Sequence, residues 1–275
     1  MLLPNFLVIG AQKAGTTWIS ECTRQHPDVH SPKTKELHYF SNRGVYDKGV
    51  DWYSKQFDTD YDGAKAIGEY TPNYLWASDD ESEIAESNLC RDIPANVSSL
   101  LPEAKLIVIL RNPVERAVSA YFHHIRAGRI HPNENFDNAV KKYGIASKGL
   151  YSDQLKKWFD HFDKNQFLIL FYEESLFETK YDTLQSIYKH IEVDPDFIPR
   201  NMEKSSNKRE SYLEMRIKPY SRILAIATRT VVPDRIKSHP RFEIPVSQDS
   251  KIRLQEYFKS PNKELEELLS REVPW

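Results

Sequence analysis

Residues Phe6–Trp18 read FLVIGAQKAGTTW: an apolar run, two glycines that bracket a lysine, and paired threonines. Gly10 and Gly15 have the GxxxxG spacing of a phosphate-binding turn between a strand and a helix. There, backbone N–H groups and the helix N-terminus cradle an anion. A nucleotide-triphosphatase loop carries Lys and then Ser or Thr directly after the second glycine. Here Thr16 and Thr17 occupy that place, and Lys13 lies inside the loop, next to Ala14. A second segment, ILRNPVERAVSAYFHH, puts Arg111 at the end of an apolar run, where a magnesium-dependent enzyme usually carries a carboxylate. An arginine fork suits phosphate oxygens, and the hydroxyl of Ser119 adds a donor. Together these residues point to a phosphorylated ligand held by the protein's own cations, without a metal. A ligand-free glycine turn with an ordinary surface arginine is the plain alternative.

The elements that must position these residues are legible as runs. FLVIG at Phe6, KLIVIL at Lys105 and QFLILFY at Gln166 are continuous apolar stretches of the kind found in a parallel sheet covered on both faces, and KAIGEY at Lys65 is a shorter candidate. Helical patterns follow over Thr16–Gln25, Pro113–Ala127 and Tyr181–Ile191. Near the C-terminus, Ser260 and Pro261 read as the N-cap and first residue of a separate terminal helix. Strand–helix alternation predicts an α/β fold of three layers, P-loop-like, with a central parallel sheet flanked by helices. Ligands then sit beyond the carboxyl ends of the strands, where both motifs fall.

The 275 residues are 40% hydrophobic and 28% charged, ample for one core, and no linker separates two compositions. A single domain over 1–275 is expected. The net charge is −2 with both signs interspersed, so no global field recruits nucleic acid or a membrane surface. Cys22 and Cys90 give neither a disulfide framework nor a metal cluster, and LLPNFLVIG is too short to span a bilayer. The expectation is a soluble, cytoplasmic protein with neither nucleic acid nor membrane as partner.

QKAGTTW together with LRNPVERAVSAY resembles the two signature segments of sulfotransferases that use 3′-phosphoadenosine 5′-phosphosulfate (PAPS). HPDVHSPKTKELHYF, YDKGVDWYSKQF, IGEYTPNYLW and KGLYSDQLKKWFDHF are similar to the heparan-sulfate-type and related bacterial branches, and the likeness runs from Leu3 to Glu192. The resemblance implies that Lys13 stabilises charge on the leaving oxygen. Ala14, Gly15, Thr16, Thr17 and Trp18 would hold the 5′-phosphate, and Arg111 with Ser119 the 3′-phosphate. No metal is required, and the product is 3′-phosphoadenosine 5′-phosphate (PAP).

KELHYF resembles the family's EPHFF-like segment, which implies Glu36 as general base, with Leu37 where proline is common. In an extended segment Glu36 and His38 share a face, so either reaches the same proton; a solvated Glu36 and a packed His38 is the alternative. Tyr151, with Lys148 and Gly149, would close over the 3′ side, and Lys208 and Arg209 of KSSNKRESY would cover the nucleotide. In GEYTP, Glu69 is expected to pair with a cation and Thr71 to cap a helix. His123 and His124 read as packing or exposed residues, and Trp18, Trp52, Tyr53 and Trp76 as core or as platforms for a sugar or adenine.

The implied acceptor is a hydroxyl of a carbohydrate, or of another small or carrier-bound alcohol. A basic strip drawn from Lys33, Lys35, Lys48, Arg126 and Arg129 would mark an oligosaccharide groove. Two other readings stand beside this one: a P-loop kinase using ATP and magnesium, and a non-catalytic nucleotide-binding module.

Overall fold

The computed structural model describes residues 1–61, 63–177, 179–200, 202–203 and 246–275. Five parallel strands lie in the order β2-β3-β1-β4-β5: β1 Phe6–Gly10, β2 Val29–His30, β3 Ala66–Tyr70, β4 Lys105–Leu110 and β5 Phe167–Phe171. The apolar runs at residues 6, 65, 105 and 166 all become strands, and helices cover the sheet. The fold is therefore the expected P-loop-like α/β architecture. β2, only two residues long, left no sequence signal. β1 is central, buried along its whole length, with Phe6 in register with Gly68 on one side and Lys105 on the other.

Three helices follow their predicted positions, over Thr16–Thr23, Pro113–Arg126 and Lys180–His190. The second is started by Asn112, whose Oδ1 accepts from the N–H groups of Val114 and Glu115, with Pro113 just inside. The expected break at Ser260 does not occur. Pro261 sits inside one continuous helix, Gln248–Leu269. A mid-helix proline costs ~3 kcal/mol, but the buried stripe of Leu254, Phe258 and Leu265 runs across it. Each such side chain contributes roughly 1.5–3 kcal/mol of burial, which together outweighs the lost hydrogen bond.

That helix packs against the Pro113–Arg126 helix and the helix over Tyr151–Phe159. Phe258 joins Ala117, Tyr121 and Phe136 in a second apolar cluster beside the one that covers the sheet. Arg116, on the same helix as Ala117, is fully buried. Its Nη2 donates to the Ile145 carbonyl, and burial lowers its proton affinity to about 10.

Gly68 lets β3 pass beneath the Phe6 ring, and a Cβ there would collide with that ring. Gly68→Ala is expected to destabilise the protein by roughly 1–3 kcal/mol through overpacking, read as a fall of several degrees in Tm. An unchanged Tm would show that β1 and β3 are not packed this way.

Candidate active site

The loop between β1 and the Thr16–Thr23 helix is shaped by two left-handed residues, Lys13 (φ 69°) and Gly15 (φ 96°). Gly15 is the helix N-cap, and a side chain there would meet Leu176 and Tyr172. The Ala14 N–H is used within the turn, donating to Ala11 O at 3.2 Å. The N–H groups of Thr16 and Thr17 open the helix without a backbone acceptor among the described residues. These open donors lie at the turn where the glycine spacing predicts an anion cradle.

Arg111, at the end of β4, reaches back to this loop. Its Nη1 donates to Lys13 O at 3.1 Å, and its guanidinium lies 4.7 Å from the Tyr172 ring centroid. The Tyr151 hydroxyl donates to the Arg111 carbonyl at 2.8 Å, so Tyr151 holds the arginine's backbone. Trp18 is likewise buried, and its indole N–H donates to Met202 O at 2.8 Å. Both act as braces from beneath the loop. Ser119 is partly exposed on the Pro113–Arg126 helix, and no hydrogen bond joins it to Arg111 among the described residues. Lys208 and Arg209 lie outside the described residues.

Lys13 is surrounded by like charge. Burial first, then Arg126, then Arg111 and Lys35 lower its ammonium to about 8, with Glu36 opposing them. Among the described residues no carboxylate lies within ion-pair distance of Lys13, Arg111 or Arg126.

Glu36 and His38 meet by a route the sequence reading did not foresee. The segment is not extended: Glu36 (φ 61°) and His38 (φ 55°) are both left-handed, on either side of buried Leu37. Turning Leu37 into the core brings its two polar neighbours out together. His38 Nε2 lies 3.6 Å from Glu36 Oε2, Lys35 Nζ donates to Glu36 Oε1 at 2.6 Å, and Lys35 also reaches Thr17 Oγ1 at 3.4 Å. Burial alone would raise the Glu36 carboxyl, but the hydrogen bonds from His38 and Lys35 overcome it and hold it at about 2. Ser41 Oγ lies 3.2 Å from His38 Nδ1.

Glu69 pairs with no cation among the described residues. It is buried and caged by hydroxyls: Tyr53 donates to Oε2 at 2.5 Å, while Thr71 and Tyr74 donate to Oε1 at 2.6 and 2.7 Å. Burial raises its proton affinity against those three bonds. Thr71 Oγ1 also accepts the His38 N–H at 3.4 Å, so the cage supports the segment that carries the candidate base.

The sequence reading missed the C-terminal half of the Pro113–Arg126 helix. The Arg126 charge bears on Lys13, and burial followed by Lys13 lowers the His123 imidazole to about 4. The signal was available: residues 119, 123 and 126 follow i, i+4, i+7 and share one helix face. His123 accepts from Arg129 Nη2 at 3.0 Å. Of the cations that could line an oligosaccharide groove, Lys33 pairs with Asp60 and Lys48 stacks on Trp52. Tyr53 and Trp76 are core residues. Lys148 is buried with its ammonium 4.0 Å from the Trp76 ring centroid, and burial brings it to about 7.

Comparison with known proteins places this geometry. The sulfotransferase domain family matches residues 3–241. The mouse bifunctional heparan sulfate N-deacetylase/N-sulfotransferase 3 is 27% identical over 98% of this chain, which spans 30% of that protein's length. Among solved structures, a sulfotransferase from Alicyclobacillus acidocaldarius superposes with a TM-score of 0.70 at 23% identity, covering 99% of this chain and 98% of that one. The mouse sulfotransferase SULT7A1 complexed with PAP gives 0.53 at 20% identity, covering 94% and 85%. A loop lysine ringed by cations, an arginine closing the neighbouring strand and a match over most of the sequence converge: this chain belongs to the sulfotransferase domain family.

Proposed function

We propose that this protein transfers a sulfuryl group from PAPS to a hydroxyl of a carbohydrate acceptor. The observation that carries the reading is the cation cluster around the loop after β1: Arg126, Arg111 and Lys35 lie near enough to Lys13 to depress its proton affinity, with Glu36 as the opposing charge. Like charges gathered around an ammonium whose proton affinity they depress favour a polyanion there. The left-handed Gly15 starts the helix whose first N–H groups are open to an anion. PAPS supplies an activated sulfuryl group whose leaving group is a phosphate.

The residues divide the work. The N–H groups of Thr16 and Thr17 and the Thr17 hydroxyl bind the 5′-phosphate, and Arg111 and Ser119 bind the 3′-phosphate. Lys13 stabilises the charge that develops on the leaving oxygen. Glu36, assisted by His38, takes the acceptor proton. Lys208 and Arg209 belong to the same reading on resemblance alone. The heparan sulfate in the mouse relative's name supports a carbohydrate acceptor. No described helix is long and apolar enough to cross a membrane. Two buried free thiols, Cys22 and Cys90, support a reducing, cytoplasmic setting.

Three measurements test the reading. PAP should raise the Tm more than ADP does, and equally with and without magnesium; a magnesium-dependent preference for ADP would favour the kinase. PAP affinity should fall as pH rises from 7 to 9, because the Lys13 ammonium is charged below about 8 and is lost above it, while phosphate ionisation is already complete. Lys13→Met should flatten that dependence, and a dependence retained in the variant would remove Lys13 from the site. Glu36→Gln should lower kcat with a sulfuryl acceptor by on the order of 10²–10⁴ while PAP still binds; full turnover would exclude Glu36 as the base.

A further inference from the structure

A carboxylate held at about 2 by two hydrogen bonds is a weak base, since a general base works best with a proton affinity near the operating pH. The shortest of its contacts is the one from Lys35, at 2.6 Å. The same ammonium lies 3.4 Å from Thr17 Oγ1, at the N-terminus of the helix proposed to hold the donor's 5′-phosphate. One flexible side chain, 24% exposed, therefore has the base on one side and the anion cradle on the other.

We infer that Lys35 is a shared ammonium: it neutralises Glu36 until the donor binds, then turns to the donor's 5′-phosphosulfate and frees Glu36 to accept the acceptor's proton. The inference rests on the donor reading above. A phosphate group competes well for such an ammonium because it carries more charge than a carboxylate and offers more acceptor oxygens. His38 stays beside Glu36, with Ser41 next to its other ring nitrogen, so the freed carboxylate keeps one oriented partner. The consequence is order. The base gains strength only next to a bound donor, and by linkage the Glu36 charge must weaken donor binding to the same extent that the donor frees Glu36.

A double-mutant cycle on PAP affinity tests this without requiring turnover. The dissociation constant is measured for the native protein, Lys35→Met, Glu36→Gln and the double variant, with Tm recorded for each. If Lys35 must leave Glu36 to reach the donor, Lys35→Met weakens PAP binding only a few-fold when Glu36 is present. In the Glu36→Gln background, where the ammonium is free from the start, the loss grows to about tenfold or more, the size of a charge-assisted hydrogen bond. Glu36→Gln alone tightens PAP binding. Equal fold-losses in the two backgrounds overturn the inference while leaving the donor site intact. If native protein fails to bind PAP, the donor reading falls and this inference with it. Should Lys35→Met not fold, Lys35→Gln takes its place in the cycle.

Discussion

Positive charge concentrated around one loop is the constraint that organises this structure. Lys13, Arg111, Arg126 and Lys35 converge where β1 and β4 end, and the first N–H groups of the Thr16–Thr23 helix add a partial positive charge of the same sign. A folded chain without need of an anion would disperse such groups or pair them with carboxylates. Here they lower the proton affinity of Lys13 instead, and Glu36 opposes them. The scaffold must therefore hold mutually repelling groups in place, and most of the surrounding features do that.

The support comes from both sides of the loop. On the β4 side, Arg111 is fixed at its carbonyl by Tyr151, at its guanidinium by Lys13 O and the Tyr172 face, and at the next residue by Glu173, which accepts the Asn112 N–H at 2.9 Å. On the β3 side, the hydroxyl-caged Glu69 and its partner Thr71 underpin the turn that presents Glu36 and His38. A buried carboxylate with three hydroxyl donors is satisfied without a counter-ion, so it adds rigidity without drawing a cation away from the loop. The left-handed residues at 13, 15, 36 and 38 serve the same end. At Lys13, Glu36 and His38, which are not glycine, such a backbone persists only where the surrounding structure holds it.

Proton affinities sort the site's residues by role. Lys13, near 8, is a cation that an incoming anion would strengthen. Glu36 is held near 2 by the hydrogen bonds from His38 and Lys35 together. His123, lowered by burial and by Lys13, is neutral beside the cations and can accept a hydrogen bond from Arg129. The charges of Lys13 and Glu36 both reach His123, and that of Glu36 reaches Lys13.

The strands at residues 6, 65, 105 and 166, the loop with its displaced lysine and the arginine at the end of β4 were legible because each is a local pattern. Apolar runs select buried parallel strands, glycine spacing selects the turn, and a strand's last residue has its place set by the strand. The terminal helix was misread at Pro261 because its apolar stripe finds partners on two other helices, and that burial exceeds the local cost of proline. What lies between elements was decided only by the fold. Leu37 had to find its place in the core before Glu36 and His38 could adopt left-handed backbones and meet. Glu69 had to be surrounded by Tyr53, Thr71 and Tyr74 before its lack of a cation made sense. Lys35 reaches Thr17 across 18 residues of chain and Arg111 reaches Lys13 across 98. Side-chain chemistry is written residue by residue, but distances between segments, and the electric field they create together, exist only once the sheet has brought those segments to one edge.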